Sequence, residues 1–261
     1  RREQQHGEGH RRSWVGGGAQ GVGHAASPGT IARMGTARGP RAVQGTRSMR
    51  TGIGAHMRPS FIAIEGLDGS GGTTQARLLA DWLEARGTRV CRTHEPSPGP
   101  AGRFIRAALD PKNEASVLGD NVLPYLFAAD RRDHLDREIV PALGRGEHVV
   151  TDRYYHSSLA YQSLSVGLHL VAELNRDFRA PDLTVFLDLS PEACLERIHA
   201  RGAPIERFEA LDRLRQIHDA YEAVLVHCRS HGEKVARVSA AGSIEDVYGR
   251  VLDAIRGHLD A

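Results

Sequence analysis

The sequence predicts an α/β fold in which a five-stranded parallel sheet is flanked by helices. Short apolar runs alternate with segments of helical periodicity, and glycine or proline residues separate them. Hydrophobic residues make up 40% of the 261 residues and charged residues 25%, which is ordinary for a protein that buries a core. No stretch reaches the roughly 18 consecutive apolar residues of a membrane-spanning helix, so we expect no membrane segment.

The predicted elements follow one another from residue 61 onward. Five apolar runs are predicted as strands, at 61–65, 89–93, 148–151, 183–189 and 235–238. Apolar residues at helical spacing predict helices at 73–86, 122–143 and 244–259. Gly87 is expected to end the first helix, and Ser190-Pro191-Glu192 is typical of a helix N-terminus, with a capping serine, a proline at the first position and an acid in the first turn.

Residues 1–57 differ from the rest of the chain in composition. They contain 13 of the 29 glycines and nine arginines against two acids, a charge of +7, whereas the remaining residues hold 25 bases and 30 acids, a charge of −5. A segment with so little apolar surface cannot offset its chain entropy, so we expect 1–57 to be disordered and 58–261 to be the folded domain. We interpret 1–57 as an upstream extension with the true start at Met57; a functional basic tail or a transit peptide is the alternative.

Charge and cysteine content narrow the class of protein. The body at 58–261 is mildly acidic, which is the reverse of what a nucleic-acid-binding domain shows, so we expect no nucleic-acid partner. The three cysteines contain no C-x-x-C pair, and they suit a reducing, cytoplasmic setting.

A glycine-rich loop follows the first predicted strand directly and opens the first predicted helix. It resembles the phosphate-binding template G-x-x-x-x-G-K-[ST], in which backbone N–H groups and the helix N-terminus hold a polyphosphate. Thr73 occupies the position whose hydroxyl binds Mg²⁺, but Gly72 stands where the template has lysine. Losing one such donor can lower a rate by about 10²–10³. The predicted ATP-binding residues of this loop are Gly66, Leu67, Asp68, Gly69, Ser70, Gly71, Gly72, Thr73 and Thr74.

Further motifs, in the same order and spacing, resemble those of thymidylate kinase over nearly all of 60–258. They are Glu95-Pro96, Phe127-x-x-x-Arg131, Asp152-Arg153-Tyr154, Ala160-Tyr161-Gln162 and Arg201-Gly202 followed by Arg207-Phe208-Glu209. The resemblance implies a P-loop nucleoside monophosphate kinase fold with a short lid at 202–209. It also implies ATP and Mg²⁺ as cofactors, dTMP as the acceptor and a homodimer.

The resemblance also assigns residues to the dTMP site. Arg106 and Arg153 are expected to grip the phosphate, and Phe127 and Arg131 to recognise thymine. The base edge, the sugar and the pocket shape are assigned to Ser157, Tyr161, Gln162, Asp68, Glu95 and Pro96. The alternatives are structural: Arg106 on a solvated helix face, Phe127 in the core and Asp68 bonding its own turn.

The donor side is assigned in the same way. Asp152, at the end of a strand, is expected to help Thr73 hold Mg²⁺. Bacterial-type members of the family supply arginine from the lid, so we predict Arg207 first, and Arg201 or Arg153 second, as the residue that compensates for Gly72. Arg197 is a weaker candidate for stacking on adenine.

The predicted activity is therefore transfer of phosphate from ATP to dTMP, giving dTDP. Gly72 keeps a second hypothesis open, a relative that binds nucleotides without catalysis. A third is a kinase of the same class that acts on another nucleoside or nucleotide.

Overall fold

Five parallel strands form the centre of the fold. The computed structural model describes residues 58–110, 118–202 and 207–259, with the side chains of 207–209 left out; the extension predicted at 1–57 lies outside this part of the chain. The strands are β1 (Phe61–Gly66), β2 (Val90–His94), β3 (His148–Asp152), β4 (Leu183–Asp188) and β5 (Val235–Ser239). Their order is β2-β3-β1-β4-β5, and every neighbouring pair is parallel, which confirms the predicted fold class.

Helices connect these strands within the described residues. They are α1 (Gly72–Glu84), α2 (Pro100–Ala108), α3 (Leu123–His134), α4 (Val140–Gly144), α5 (Tyr155–Tyr161), α6 (Ser163–Val166), α7 (Leu168–Asn175), α8 (Pro191–Ala200), α9 (Arg207–Ser230) and α10 (Ile244–Leu259). The predicted start of α8 is confirmed, since Ser190 Oγ accepts a 3.3 Å hydrogen bond from the N–H of Ala193.

The single long helix predicted at 122–143 is wrong in one respect. A π-helical turn, Leu135–Ile139, separates α3 from α4. Pro141 lies just beyond it and has no N–H to bond the carbonyl of Arg137, so the regular α-helical ladder is interrupted there. Apolar periodicity alone does not reveal such a change of helix type.

The core surrounds β1. All six residues of this strand are buried, as expected of a central strand in a parallel sheet that is covered on both faces. Leu79 and Leu83 of α1 and Tyr221 and Leu225 of α9 pack into the same apolar cluster. Among the described helices, none combines the length and apolar character needed to cross a membrane.

The carboxyl ends of the three neighbouring strands lie at one edge of the sheet. Asp152, the last residue of β3, is in register with Ile64 of β1 on one side and His94 of β2 on the other. The loops that follow these strands therefore begin side by side. Ligands of open α/β sheets bind at this edge, beside the central strands.

Candidate active site

The glycine-rich loop between β1 and α1 has the geometry of an anion site. Gly71, with φ +103°, precedes α1, and no atom of the described residues lies within 4 Å of the position where its Cβ would be. At Gly69, by contrast, a Cβ would lie 2.5 Å from the carbonyl oxygen of Cys194, so only glycine lets the loop pack against α8. The first turn of α1 has no acidic residue and no side-chain cap, which leaves its N–H groups available to a phosphate.

Gly72 occupies the position that lysine holds in the template, and it packs against the end of β3. A Cβ at Gly72 would lie 2.9 Å from Asp152 Oδ1. The next residue, Thr73, donates a 2.5 Å hydrogen bond from Oγ1 to Asp152 Oδ2. A hydroxyl and a carboxylate are the hard oxygen ligands that Mg²⁺ prefers, so this pair fits the ion.

Two cavities open on this edge of the sheet. The loop cavity, about 470 Å³, is lined by residues 64–74 together with Asp152, Arg153 and Arg201. The acceptor cavity, about 360 Å³, lies beside it. Eight of the residues that were predicted to bind dTMP line the acceptor cavity: Asp68, Glu95, Phe127, Arg131, Arg153, Ser157, Tyr161 and Gln162. Asp68 and Arg153 line both cavities, so they form the wall that the two share.

Arg153 is held at this wall by several contacts. Its Nη2 forms a 2.6 Å ion pair with Asp68 Oδ1, and its Nη1 donates a 2.9 Å hydrogen bond to Ser157 Oγ. Burial acts to lower the pKa of the guanidinium, but Tyr161, Tyr221 and the nearby carboxylates outweigh it, and the pKa stays well above its ordinary value. Arg153 is therefore positively charged at any working pH.

The backbone of Arg153 is strained. Its φ is +72°, and no other described non-glycine residue has a positive φ. This left-handed conformation costs an L-residue roughly 1–2 kcal/mol. Its N–H nevertheless donates a 2.9 Å hydrogen bond to the carbonyl of Ile64, which ties the turn to β1. Strain of this kind clusters at functional sites, where the surrounding structure maintains it.

The buried carboxylate of Glu65 binds the residues that hold Arg153 in place. Glu65 accepts hydrogen bonds from the N–H of Tyr154 at 2.7 Å, from Ser157 Oγ at 2.7 Å and from Tyr221 OH at 3.0 Å. Ser157 and Tyr221 in turn contact Arg153. Glu65 and Tyr221 were not among the site residues predicted from the sequence; an acid at the end of an otherwise apolar strand was the available signal for Glu65.

Arg131 belongs to the wall of the acceptor cavity, but protein groups occupy most of its donors. Its side chain is 1% exposed, and its Nε and Nη2 donate to Glu95 Oε2 at 2.9 and 2.6 Å. It also donates to Ser158 Oγ at 3.0 Å and to Asn175 Oδ1. His134 lies 3.2 Å from the other oxygen of Glu95. One N–H of Nη1 has no acceptor among these groups, so at most one donor faces a base.

Replacing Arg131 with methionine is expected to destabilise the fold by about 3–5 kcal/mol, because Glu95 would keep a buried charge without its main partner. Urea unfolding of the two proteins measures this difference. Arg132→Met is the matched control on the same helix, since the pair of Arg132 with Asp136 is exposed to solvent and its loss is expected to change the stability little. Equal stabilities of Arg131→Met and Arg132→Met would contradict a structural role for Arg131.

Arg106 is not among the residues that line either cavity. It is an exposed residue of α2 whose guanidinium donates to the carbonyl oxygens of Pro96 and Ser97. Its predicted contact with the dTMP phosphate requires the side chain to leave these carbonyls, and it stays a prediction.

The three arginines predicted on the donor side, Arg197, Arg201 and Arg207, lie in different places. Arg197 donates to the carbonyl oxygens of Ser70 and Ala240, at 3.4 and 3.0 Å, and it lines a third cavity of about 300 Å³ beside α10. Arg201 lines both this third cavity and the loop cavity. Arg207 is the first residue of α9, and its side chain lies outside the described part of the structure.

The acceptor cavity also contains residues that the sequence analysis did not select. They are Leu109, Asp120, Leu123, Tyr154, Ser158, Ser165 and Arg213. Arg213 is the notable one, because it adds a cation from α9 and makes no ion pair or hydrogen bond with the other described residues. No sequence signal pointed to it, since Arg213 belongs to none of the recognised motifs.

Comparisons with known proteins agree with this geometry. A family model described as thymidylate kinase matches residues 64–251. A protein of Pyrococcus horikoshii named probable thymidylate kinase is 36% identical over 209 residues, which cover 78% of this chain and 98% of the relative. A thymidylate kinase of Leptospira interrogans is 39% identical over 171 residues, 64% of this chain and 82% of the relative. The chain therefore belongs to the thymidylate kinase family.

Proposed function

We propose that this protein transfers the γ-phosphoryl group of ATP to the phosphate of dTMP and releases dTDP and ADP. Membership of the family supports this reaction, and one structural observation carries it. The loop cavity and the acceptor cavity share the wall formed by Asp68 and Arg153. A phosphoryl group bound on one side therefore faces an acceptor bound on the other.

The residues present can perform this transfer by positioning and charge neutralisation. The N–H groups of the loop and of the first turn of α1 bind the polyphosphate of ATP. Arg153 grips the dTMP phosphate and directs one of its oxygens, in line, at the γ-phosphorus, whose bond to the β–γ bridging oxygen breaks as the new bond forms. No general base is required, because the acceptor phosphate is already ionised.

Thr73 and Asp152 would hold Mg²⁺, which would neutralise charge on the ATP phosphates. Their 2.5 Å hydrogen bond supports this proposal, because it shows that both oxygens reach one point beside the loop. Gly72 leaves room for Asp152 at that point.

The charge that the loop lacks comes, in this proposal, from the lid, as in the bacterial type of the family. Arg201 supports this assignment because it lines the loop cavity. Arg207 remains the other candidate, as the sequence predicts.

Three broader expectations belong to the same proposal. Residues 58–261 form the kinase domain, because the family match falls within them. A homodimer is proposed from the family, and the exposed rings of Phe104 and Tyr125 on α2 and α3 offer an apolar surface for it. A cytoplasmic location fits the three cysteines, all of which are free.

The activity is tested by measuring ADP formation with ATP, Mg²⁺ and a panel of acceptors: dTMP, dUMP, dCMP and thymidine. We expect turnover that depends on dTMP and is weaker with the other monophosphates. Turnover with thymidine alone would instead indicate a nucleoside kinase. Binding of ATP and dTMP by calorimetry, without ADP formation from any acceptor, would indicate a catalytically silent relative.

A further inference from the structure

Three side chains that could ligate a metal meet away from both cavities. They are His156 of α5, Cys228 near the end of α9 and Glu233 in the turn before β5. Each offers one ligand atom, and the three atoms all lie within 4.8 Å of one another. His156 and Cys228 are buried, whereas the side chain of Glu233 is 16% exposed and gives the cluster a path to solvent.

The donor set matches a zinc site. Zinc in proteins is bound by imidazole nitrogen, thiolate sulfur and carboxylate oxygen at about 2.0–2.3 Å, which places tetrahedral ligands ~3.3–3.8 Å apart. His156 Nε2 and Glu233 Oε2 are already 3.0 Å apart. Only a small adjustment of the turn that carries Glu233 is needed to admit an ion between the three atoms.

The other nitrogen of His156 provides a second, independent observation. His156 Nδ1 is buried without a hydrogen-bond partner, and Glu65 Oε1 lies 3.7 Å from it. A histidine that ligates a metal through one nitrogen usually donates its other N–H to a carboxylate or a carbonyl. The present arrangement leaves Nδ1 unsatisfied, whereas a metal on Nε2 would place the imidazole proton on Nδ1, facing Glu65.

We propose that His156, Cys228 and Glu233 form a binding site for a zinc ion, with water as the fourth ligand. Binding replaces the thiol proton of Cys228, which leaves to solvent, and moves the imidazole proton of His156 to Nδ1. The ion would join α5, α9 and the start of β5. Through His156 it would also brace Glu65, the carboxylate that supports Arg153.

Cobalt(II) titration of the purified, metal-free full chain tests the site, because a Cys–Co²⁺ bond gives a charge-transfer absorption in the near ultraviolet that a His or Glu ligand does not give. We expect this band in the wild type at one equivalent of cobalt, and its loss on addition of zinc. Cys228→Ser should abolish it. Cys91→Ser is the matched control and should retain it, since Cys91 also lies beside a glutamate, 3.7 Å from Glu138, but outside the cluster.

A second variant keeps the test decisive if Cys228→Ser fails to fold. Glu233→Gln alters a partly exposed side chain, and it should weaken cobalt binding at least about tenfold. Zinc should raise the melting temperature of the wild type and of Cys91→Ser, but not that of Cys228→Ser. A wild type without the thiolate band, or a band that persists in Cys228→Ser, would overturn the proposal and leave only an adventitious ion.

Discussion

Replacing Arg153 with alanine is expected to lower kcat/KM for dTMP by on the order of 10³, the upper range for loss of one preorganised charged donor. Arg153 lines both cavities, and its ion pair with Asp68 and its hydrogen bond to Ser157 fix the guanidinium before substrate arrives. Steady-state kinetics with varied dTMP at saturating ATP measures the effect. Arg176→Ala is the control, because Arg176 is an exposed arginine whose partners, Glu173 and Asp177, are exposed as well.

The strained backbone at this position provides a second, separable result. Arg153→Gly should lose as much activity as Arg153→Ala, because the guanidinium is absent from both. It should nevertheless be more stable than Arg153→Ala by about 1 kcal/mol, since glycine adopts a φ of +72° without steric cost. Activity of either variant within a few-fold of the wild type would contradict the proposed role of Arg153.

Replacing Arg201 with alanine is expected to lower kcat by on the order of 10²–10³ and to change KM for dTMP little. With Gly72 in the phosphate loop, a positive charge near the transferred phosphoryl must come from another side chain. Arg201 lines the loop cavity but not the acceptor cavity, so its loss should affect the transfer step rather than dTMP binding. Single-turnover measurements separate these two effects.

Arg215→Ala is the matched control for Arg201→Ala. Arg215 lies on α9 near the same lid, but its guanidinium pairs with Glu192 and faces solvent. Arg207→Ala should be measured in parallel, because the sequence predicts it as the first compensating residue. Wild-type turnover in both Arg201→Ala and Arg207→Ala would show that the lid does not replace the lysine.

Short sequence patterns were enough to predict those elements whose conformation depends mainly on neighbouring residues. The five strands were found because each is a short apolar run, and their predicted bounds differ from the structure by at most one residue at either end. The phosphate loop was found because its glycines have a fixed spacing between a strand and a helix. Helices α5–α7 and α9 were not predicted, because their sequences mix polar and apolar residues and their packing against one another defines them.

Tertiary contacts account for what the sequence missed in the site. Glu65 and Tyr221 are 156 residues apart in sequence, and only the fold brings their side chains into hydrogen-bond contact beside Arg153. Phe127 and Arg131 were predicted on one face of a helix, and the structure places both at the acceptor cavity. The buried ion pair between Arg131 and Glu95 could not be predicted from the sequence, since the two residues are 36 positions apart and no local pattern connects them.

Catalysis without a phosphate-loop lysine is tested by the rate of dTMP-dependent ADP formation by the full wild-type chain, measured beside Gly72→Lys. We expect turnover by the wild type. We also expect no gain beyond about tenfold in Gly72→Lys, well below the 10²–10³ that a missing donor would return, because a Cβ at this position pushes Asp152 away from Thr73. A silent wild type, with activity appearing only in Gly72→Lys, would contradict the proposed function and identify a kinase scaffold that lost catalysis at one residue.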